Sequence, residues 1–160
     1  MVQPASAKAG RPALAMTRAE RDAFLCSQPI CRVATVGRAG RPRLSALWFV
    51  WDGTALWFNS LVRSRRWAEL EHDPRLSAIV DDGGADFHQL RGVTLTGTAR
   101  IVGEVPRRGE EVAALVAPEQ LFADKYMGGG SFRYDGRHGW LRLVPDRVVS
   151  WDFGKLPRRG

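Results

Sequence analysis

Directly after the apolar run Ala55-Leu-Trp-Phe-Asn59, the chain sets Arg63, Ser64, Arg65 and Arg66 side by side, just ahead of a stretch with helical apolar spacing at Trp67 and Leu70. Serine is a residue type that caps helix N-termini and Asp73-Pro74 is a stop signal, so the spacing predicts a short helix over 65–72. The first turn of a helix carries free N–H groups and a partial positive charge. Arginines crowded there oppose the dipole if they are only a solvated face. Together with the serine hydroxyl they make a place for an anion such as a phosphate. From these residues alone, a phosphate site and a basic surface both stand open.

The other reactive side chains form no recognisable set. No Ser/His/Asp or Cys/His arrangement and no pair of carboxylates can be placed from spacing. His72, His88 and His138 lack metal-ligand spacing and read as surface residues, with His88, beside Phe87, a candidate liner of a substrate pocket. Cys26 and Cys31 are the only cysteines and read as ordinary thiols rather than zinc ligands or a disulfide. Gly128-Gly-Gly130 lacks the Gly-Lys-Ser/Thr ending of a phosphate loop and reads as a connector.

What must position these residues is a small domain. The chain has 160 residues, 44% of them apolar, enough for one core burying roughly 70% of the unfolded chain's surface. No apolar run is long enough to span a membrane, and residues 1–15 lack the apolar centre of a signal peptide, so a cytoplasmic protein is expected. The formal charge of +7 implies an anionic partner: nucleic acid, phosphate or a phosphorylated cofactor. Nucleic acid is disfavoured, because no helix-turn-helix or basic-aromatic stripe is present.

Residues 1–15, rich in Ala, Pro, Gly and Arg, read as a disordered leader, followed by a domain over 16–156 and a tail over 157–160. Thr17-Arg-Ala-Glu20 has the spacing of a capping box opening a helix to about Leu25. Strands are expected over 30–36, 44–51 and 55–60, the last two joined by the hairpin signal Asp52-Gly53, then over 76–80, 93–102, 140–144 and 147–151. A helix is expected from Arg107 to Ala117, broken at Pro118 and resumed to Met127. The run 44–51 is apolar at nearly every position, which predicts cover on both faces, by the core and by a partner or ligand. Short strands with few helices predict a small, mostly antiparallel β-barrel.

Residues Ala34-Thr-Val-Gly37, Arg43-Leu-Ser-Ala-Leu-Trp-Phe49, Asp52-Gly53, Leu56-Trp-Phe58, Ser64-Arg-Arg66, Glu69-Leu70 and Asp73-Pro-Arg75 occur in an order and spacing that resembles the pyridoxamine 5'-phosphate oxidase-like flavin-binding split-barrel superfamily. Gly97-Thr-Ala99 and the closing Arg147-Val-Val-Ser-Trp-Asp-Phe153 are similar to its flavin and deazaflavin oxidoreductase branch. The resemblance implies a mostly β fold, a six-stranded antiparallel split barrel with flanking helices, working as a homodimer with the cofactor between subunits. It places the cofactor phosphate on Ser64, Arg65 and Arg66, with Arg43 helping to hold it, and Arg63 is the further candidate arginine beside them at the helix start. It lays the ring against the backbone of Leu44, Ser45, Ala46 and Trp48, and puts Asn59 and Ser60 near the ring and its side chain. Trp48 stands where the oxidases have lysine, which points away from oxidation of pyridoxamine phosphate. Coenzyme F420 is the cofactor implied, with FMN and a haem-binding split barrel as alternatives, and the reaction implied is hydride transfer to a conjugated small molecule. The lack of a side-chain catalytic set suits a protein whose cofactor carries the redox chemistry. Trp48 and Trp67 are candidates to touch the cofactor or the second subunit.

Overall fold

Among residues 14–157, which the computed structural model describes, there are three α-helices and seven β-strands. The helices are α1 (Arg18–Ser27), α2 (Arg65–His72) and α3 (Ala113–Tyr126). The strands are β1 (Ile30–Val36), β2 (Pro42–Trp48), β3 (Val50–Trp51), β4 (Leu56–Leu61), β5 (Arg75–Asp82), β6 (Arg91–Val102) and β7 (His138–Asp152). None of these helices is long and apolar enough to cross a membrane.

All strands form one antiparallel sheet in the order β2-β1-β5-β6-β7-β4-β3. Its two edge strands, β2 and β3, are consecutive in the chain with only Phe49 between them. A sheet whose two edges are joined by one residue has to curl until those edges meet. The result is an incompletely closed, split β-barrel with flanking helices.

The expected strand 44–51 thus breaks at Phe49 into β2 and β3. The Phe49 N–H donates to the Tyr126 hydroxyl at 3.1 Å, and its carbonyl accepts from Lys125 Nζ at 3.2 Å. These bonds from the end of α3 replace the ladder at the point where the chain leaves β1 and joins β4. In contrast, the two strands expected over 140–151 are one, β7, with the register against β6 shifting by one residue between Thr96 and Gly97. Such a bulge bends the strand without ending it.

The capping box forms as read: the Thr17 hydroxyl accepts from the Glu20 N–H at 3.3 Å, and the Glu20 carboxylate accepts from the Thr17 N–H at 2.7 Å. The helix expected from Arg107 begins only at Ala113, because residues 108–110 turn their N–H groups onto the Glu104 carboxylate at 2.7–2.8 Å. Pro118 lies inside α3 instead of breaking it. Burial of Leu115, Phe122 and Ala123 on either side holds the helix across the missing N–H. Of the leader, residues 1–13 lie outside the described residues, as do 158–160 of the tail. The carbonyls of Leu14 and Ala15 accept from the Asp152 N–H and Lys155 Nζ, both at 2.9 Å.

Strand alternation separates two apolar clusters. The barrel interior holds Phe24, Val33, Leu56, Phe58, Trp67, Leu76, Leu95, Leu141 and Leu143, with α1 and α2 closing its ends. The opposite faces of β4 and β7 place Trp57 and Trp140 under α3, with Leu115 and Phe122.

Candidate cofactor-binding site

Helix α2 begins as its sequence requires. Ser64 has an extended backbone (φ −78°, ψ 153°), and its hydroxyl accepts from the Trp67 N–H at 3.2 Å. Trp67 then drops into the interior directly over Gly139 of β7, where a Cβ would come within 2.6 Å of the indole. That close approach seats the helix start against the ends of β4 and β7.

The arginines around it do different things. Arg66 is half-buried, and its Nη2 donates to the Ser60 hydroxyl at 2.9 Å. Burial lowers its pKa, and Glu69, which opposes that shift, makes no salt bridge with it. Glu69 accepts instead from Arg43 Nε at 2.7 Å and from the Thr35 hydroxyl at 2.6 Å, and these two bonds hold its carboxyl below the usual range. Bonded among the described residues only to a serine hydroxyl, the half-buried Arg66 guanidinium has there no anionic partner of the kind that burial of a charge calls for. Arg63 and Arg65 are exposed, so the clamp expected from Arg65 and Arg66 together has only Arg66 turned inward.

Adjacent residues on β4 face opposite ways. Ser60 faces α2, whereas Asn59 faces α3 and lines a cleft of about 440 Å³. The cleft is bordered by Ala46 and Trp48 of β2 and by Phe122, Phe132, Tyr134 and His138. Trp48 stacks on Tyr126 with ring centroids 4.6 Å apart and planes 6° from parallel. Phe122 and Phe132 line the cleft and pack on the fully buried Trp140 behind them, in tilted and edge-on contacts at 5.5–5.7 Å. Burial pushes the Tyr126 hydroxyl up to about 12.

Behind this wall lies a buried polar network. Glu119 accepts from Arg107 Nε at 2.6 Å, from the Trp140 indole at 3.1 Å and from the Tyr134 hydroxyl at 2.9 Å. Arg107 also pairs with Glu104, and the two carboxylates raise its already high pKa against the opposing effect of burial.

Of the eleven candidate site residues, Ala46, Trp48 and Asn59 meet at the cleft, and Ser60, Ser64 and Arg66 lie on the other side of β4. Arg43 is held by Glu69. Leu44 is exposed and Ser45 half-buried further along β2. Arg63 borders a separate pocket with Arg108 and Arg137. His88 borders another, with Asp82, Arg91 and Asp152, away from the cleft. Sequence reasoning missed Phe122, Tyr126, Phe132, Tyr134, Asp135 and His138. The aromatic pair at i, i+4 on α3 and the Asp-x-x-His spacing were the available signals.

The fold agrees with the comparisons. Residues 17–152 match the family model described as pyridoxamine 5'-phosphate oxidase. The chain is 30% identical to a conserved hypothetical protein from Mycobacterium tuberculosis, over 94% of each chain and with a TM-score of 0.77. At 22% identity it shares the fold of a structure described as an F420 reductase, over 79% of this chain and 94% of that one, TM-score 0.59. At 16% identity it shares the fold of the haem storage protein HutZ from Vibrio cholerae, over 82% and 94%, TM-score 0.65. No match was found among curated proteins. The chain belongs to the pyridoxamine 5'-phosphate oxidase family, and that membership supports an oxidoreductase-type role.

Proposed function

We propose that this protein is an oxidoreductase that holds a flavin-type cofactor, and that Arg66 is the group that receives its phosphate. The observation that carries the reading is the half-buried Arg66 guanidinium with, among the described residues, only Ser60 as partner, at the capped start of α2. A phosphate there would gain charge-assisted bonds from Arg66, with Ser60, Ser64 and the exposed Arg65 in support. Arg43, Leu44, Ser45, Ala46, Trp48 and Asn59 are the residues proposed beside the rest of the cofactor, with Arg63 at its anionic end. When bound, the cofactor supplies two-electron redox chemistry, and the protein binds, orients and excludes water.

The family match favours FMN. Coenzyme F420 is the second reading, favoured by the pocket lined by Arg63, Arg108 and Arg137, which suits a cofactor with more negative charge than one phosphate. A second copy of the chain belongs to the proposal. Edge strand β2 exposes Leu44 at 74% and Trp48 at 52% beside the site, and an uncovered apolar edge strand is a pairing surface.

Titration of the protein with FMN and with F420, followed by cofactor fluorescence and with mass by light scattering, tests the whole reading. The expected result is a dimer that quenches one cofactor strongly, with Arg66→Ala weakening binding roughly ten- to a hundredfold and Arg65→Ala much less. A folded protein that binds neither cofactor overturns it, and a Soret band on adding haem would direct attention to the histidines instead.

A further inference from the structure

We propose that His138, oriented by Asp135, is the proton donor to a planar, conjugated acceptor that carries a carbonyl oxygen and sits in the aromatic cleft. The inference rests on the oxidoreductase reading above and names its acceptor class and proton source. Asp135 and His138 both line the cleft. His138 lies on the same face of β7 as Trp140, two residues on, the face that α3 covers.

The geometry of the pair is fixed from several directions. Asp135 Oδ2 lies 2.6 Å from His138 Nδ1. The other carboxylate oxygen accepts from the N–H groups of Arg137 at 2.8 Å and His138 at 3.1 Å. A carboxylate on Nδ1 keeps the proton on that nitrogen and leaves Nε2 as the one that exchanges. Nε2 has no hydrogen-bond partner among the described residues. Burial would raise the Asp135 pKa, but the Arg137 N–H and the His138 side chain outweigh it and hold the carboxyl below its usual range, so the imidazole faces a carboxylate.

Of the other charged groups around the pair, Arg137 shares its carboxylate. Arg137 Nε lies 3.7 Å from Asp135 and points to the neighbouring pocket as well. Arg107 borders the cleft but is neutralised by Glu104 and Glu119, and Tyr134 donates to Glu119. Arg133 borders the cleft and adds positive charge that favours an oxyanion. Trp48, held by its stack on Tyr126, offers with Phe122 and Phe132 flat apolar contacts that suit a planar molecule.

The step balances with groups already named. A hydride from the reduced flavin-type cofactor forms a C–H bond on an enone- or quinone-like acceptor, and the π pair moves onto the carbonyl oxygen. The Nε2–H bond of the imidazolium breaks, its proton forms the O–H bond, and the bond pair stays on Nε2. The imidazole is left neutral with its Nδ1–H still donating to Asp135, and water returns a proton to Nε2.

The probe is 4-nitrophenol, whose phenolate absorbs in the visible and presents an oxygen to Nε2 without turnover. The purified protein is expected to bind it as phenolate below the pH at which the free phenol ionises. His138→Gln should lose about tenfold or more of that affinity, and Asp135→Asn should shift the pH at which the bound phenolate appears. Flavin binding of the unsubstituted protein is measured in parallel. Unchanged phenolate binding in His138→Gln, or no phenolate band in the unsubstituted protein, overturns the assignment while intact flavin binding preserves the cofactor reading. A His138-dependent phenolate band in a protein that binds no flavin has the opposite meaning: the proton donor stands and the cofactor reading falls. Should His138→Gln not fold, Asp135→Asn decides by its pH shift.

Discussion

The barrel interior and the space beneath α3 are both lined by tryptophan, phenylalanine and leucine, yet they are held together differently. Inside the barrel, apolar residues alternate along the strands and meet one another, and the hydrophobic effect alone accounts for the cluster. Beneath α3 the apolar cluster is backed by Arg107, Glu104, Glu119 and the Trp140 indole, a charged network buried with it. The interior is closed, and the outer cluster opens into the cleft. A buried polar network fixes one arrangement of side chains at the cost of desolvating charge, which fits a wall that has to hold aromatic rings and a histidine in place.

The sharpest way to break that contrast is Arg107→Met. It leaves Glu119 buried without its cation, and unfolding free energy should fall by about 3–5 kcal/mol, as in other broken buried pairs. The double variant Arg107→Met/Glu119→Leu removes both charges, and most of that loss should return; denaturant unfolding of both proteins measures it. If the single variant were as stable as the parent, the network would be ornamental. An interior truncation such as Phe58→Ala should also cost about 3–5 kcal/mol, but no second substitution of charge would rescue it.

A gentler test is pH. Despite the opposing effect of burial, the N–H groups of Glu110 and Arg108 and the Arg107 guanidinium lower the Glu104 pKa from 4.5 to about 2. A carboxylate depressed in the folded state contributes stability above its unfolded pKa and loses it as pH falls through the folded value. The loop at 104–110 should therefore loosen between pH 4.5 and about 2. Near-ultraviolet dichroism from Tyr134 and Trp140 should follow it. In the interior, Cys31 is pushed up to about 12 by burial and does not titrate in that range, so any response there would come through Glu69 at the α2 end, whose carboxyl is also held below the usual range.

The smallest effect belongs to the interior's lid. Thr17→Ala removes the hydroxyl that caps α1, and stability should fall by about 1 kcal/mol with cofactor binding unchanged. A larger loss, or a change in binding, would mean that α1 is coupled to the site across the barrel. Thermal unfolding and the FMN titration together read both quantities.

Much of the site's frame was legible because it depends on short-range rules. Ser64 caps α2, Thr17 and Glu20 close their box, and Asp52-Gly53 turns β3 into β4, each decided by residues within three or four positions. The arginines were legible as a group but not singly. Arg43 has its partner on a helix 26 residues away, and nothing local says that Glu69 takes it while Arg66 is left with a serine. The break at Phe49 was invisible for the same reason, since the bonds that replace its ladder come from Lys125 and Tyr126.

By itself, then, the sequence determined the strands, the capped helices and the basic start of α2, because hydrophobic period, turn residues and capping act between near neighbours. Tertiary structure alone decided that the two edge strands are one interrupted run and that Asn59 and Ser60 serve opposite sides of β4. It also decided that Asp135 and His138 open onto the rings of Phe122 and Trp48. Those outcomes depend on how the sheet curls and what α3 covers, and contacts between residues far apart in the chain have no local pattern to announce them.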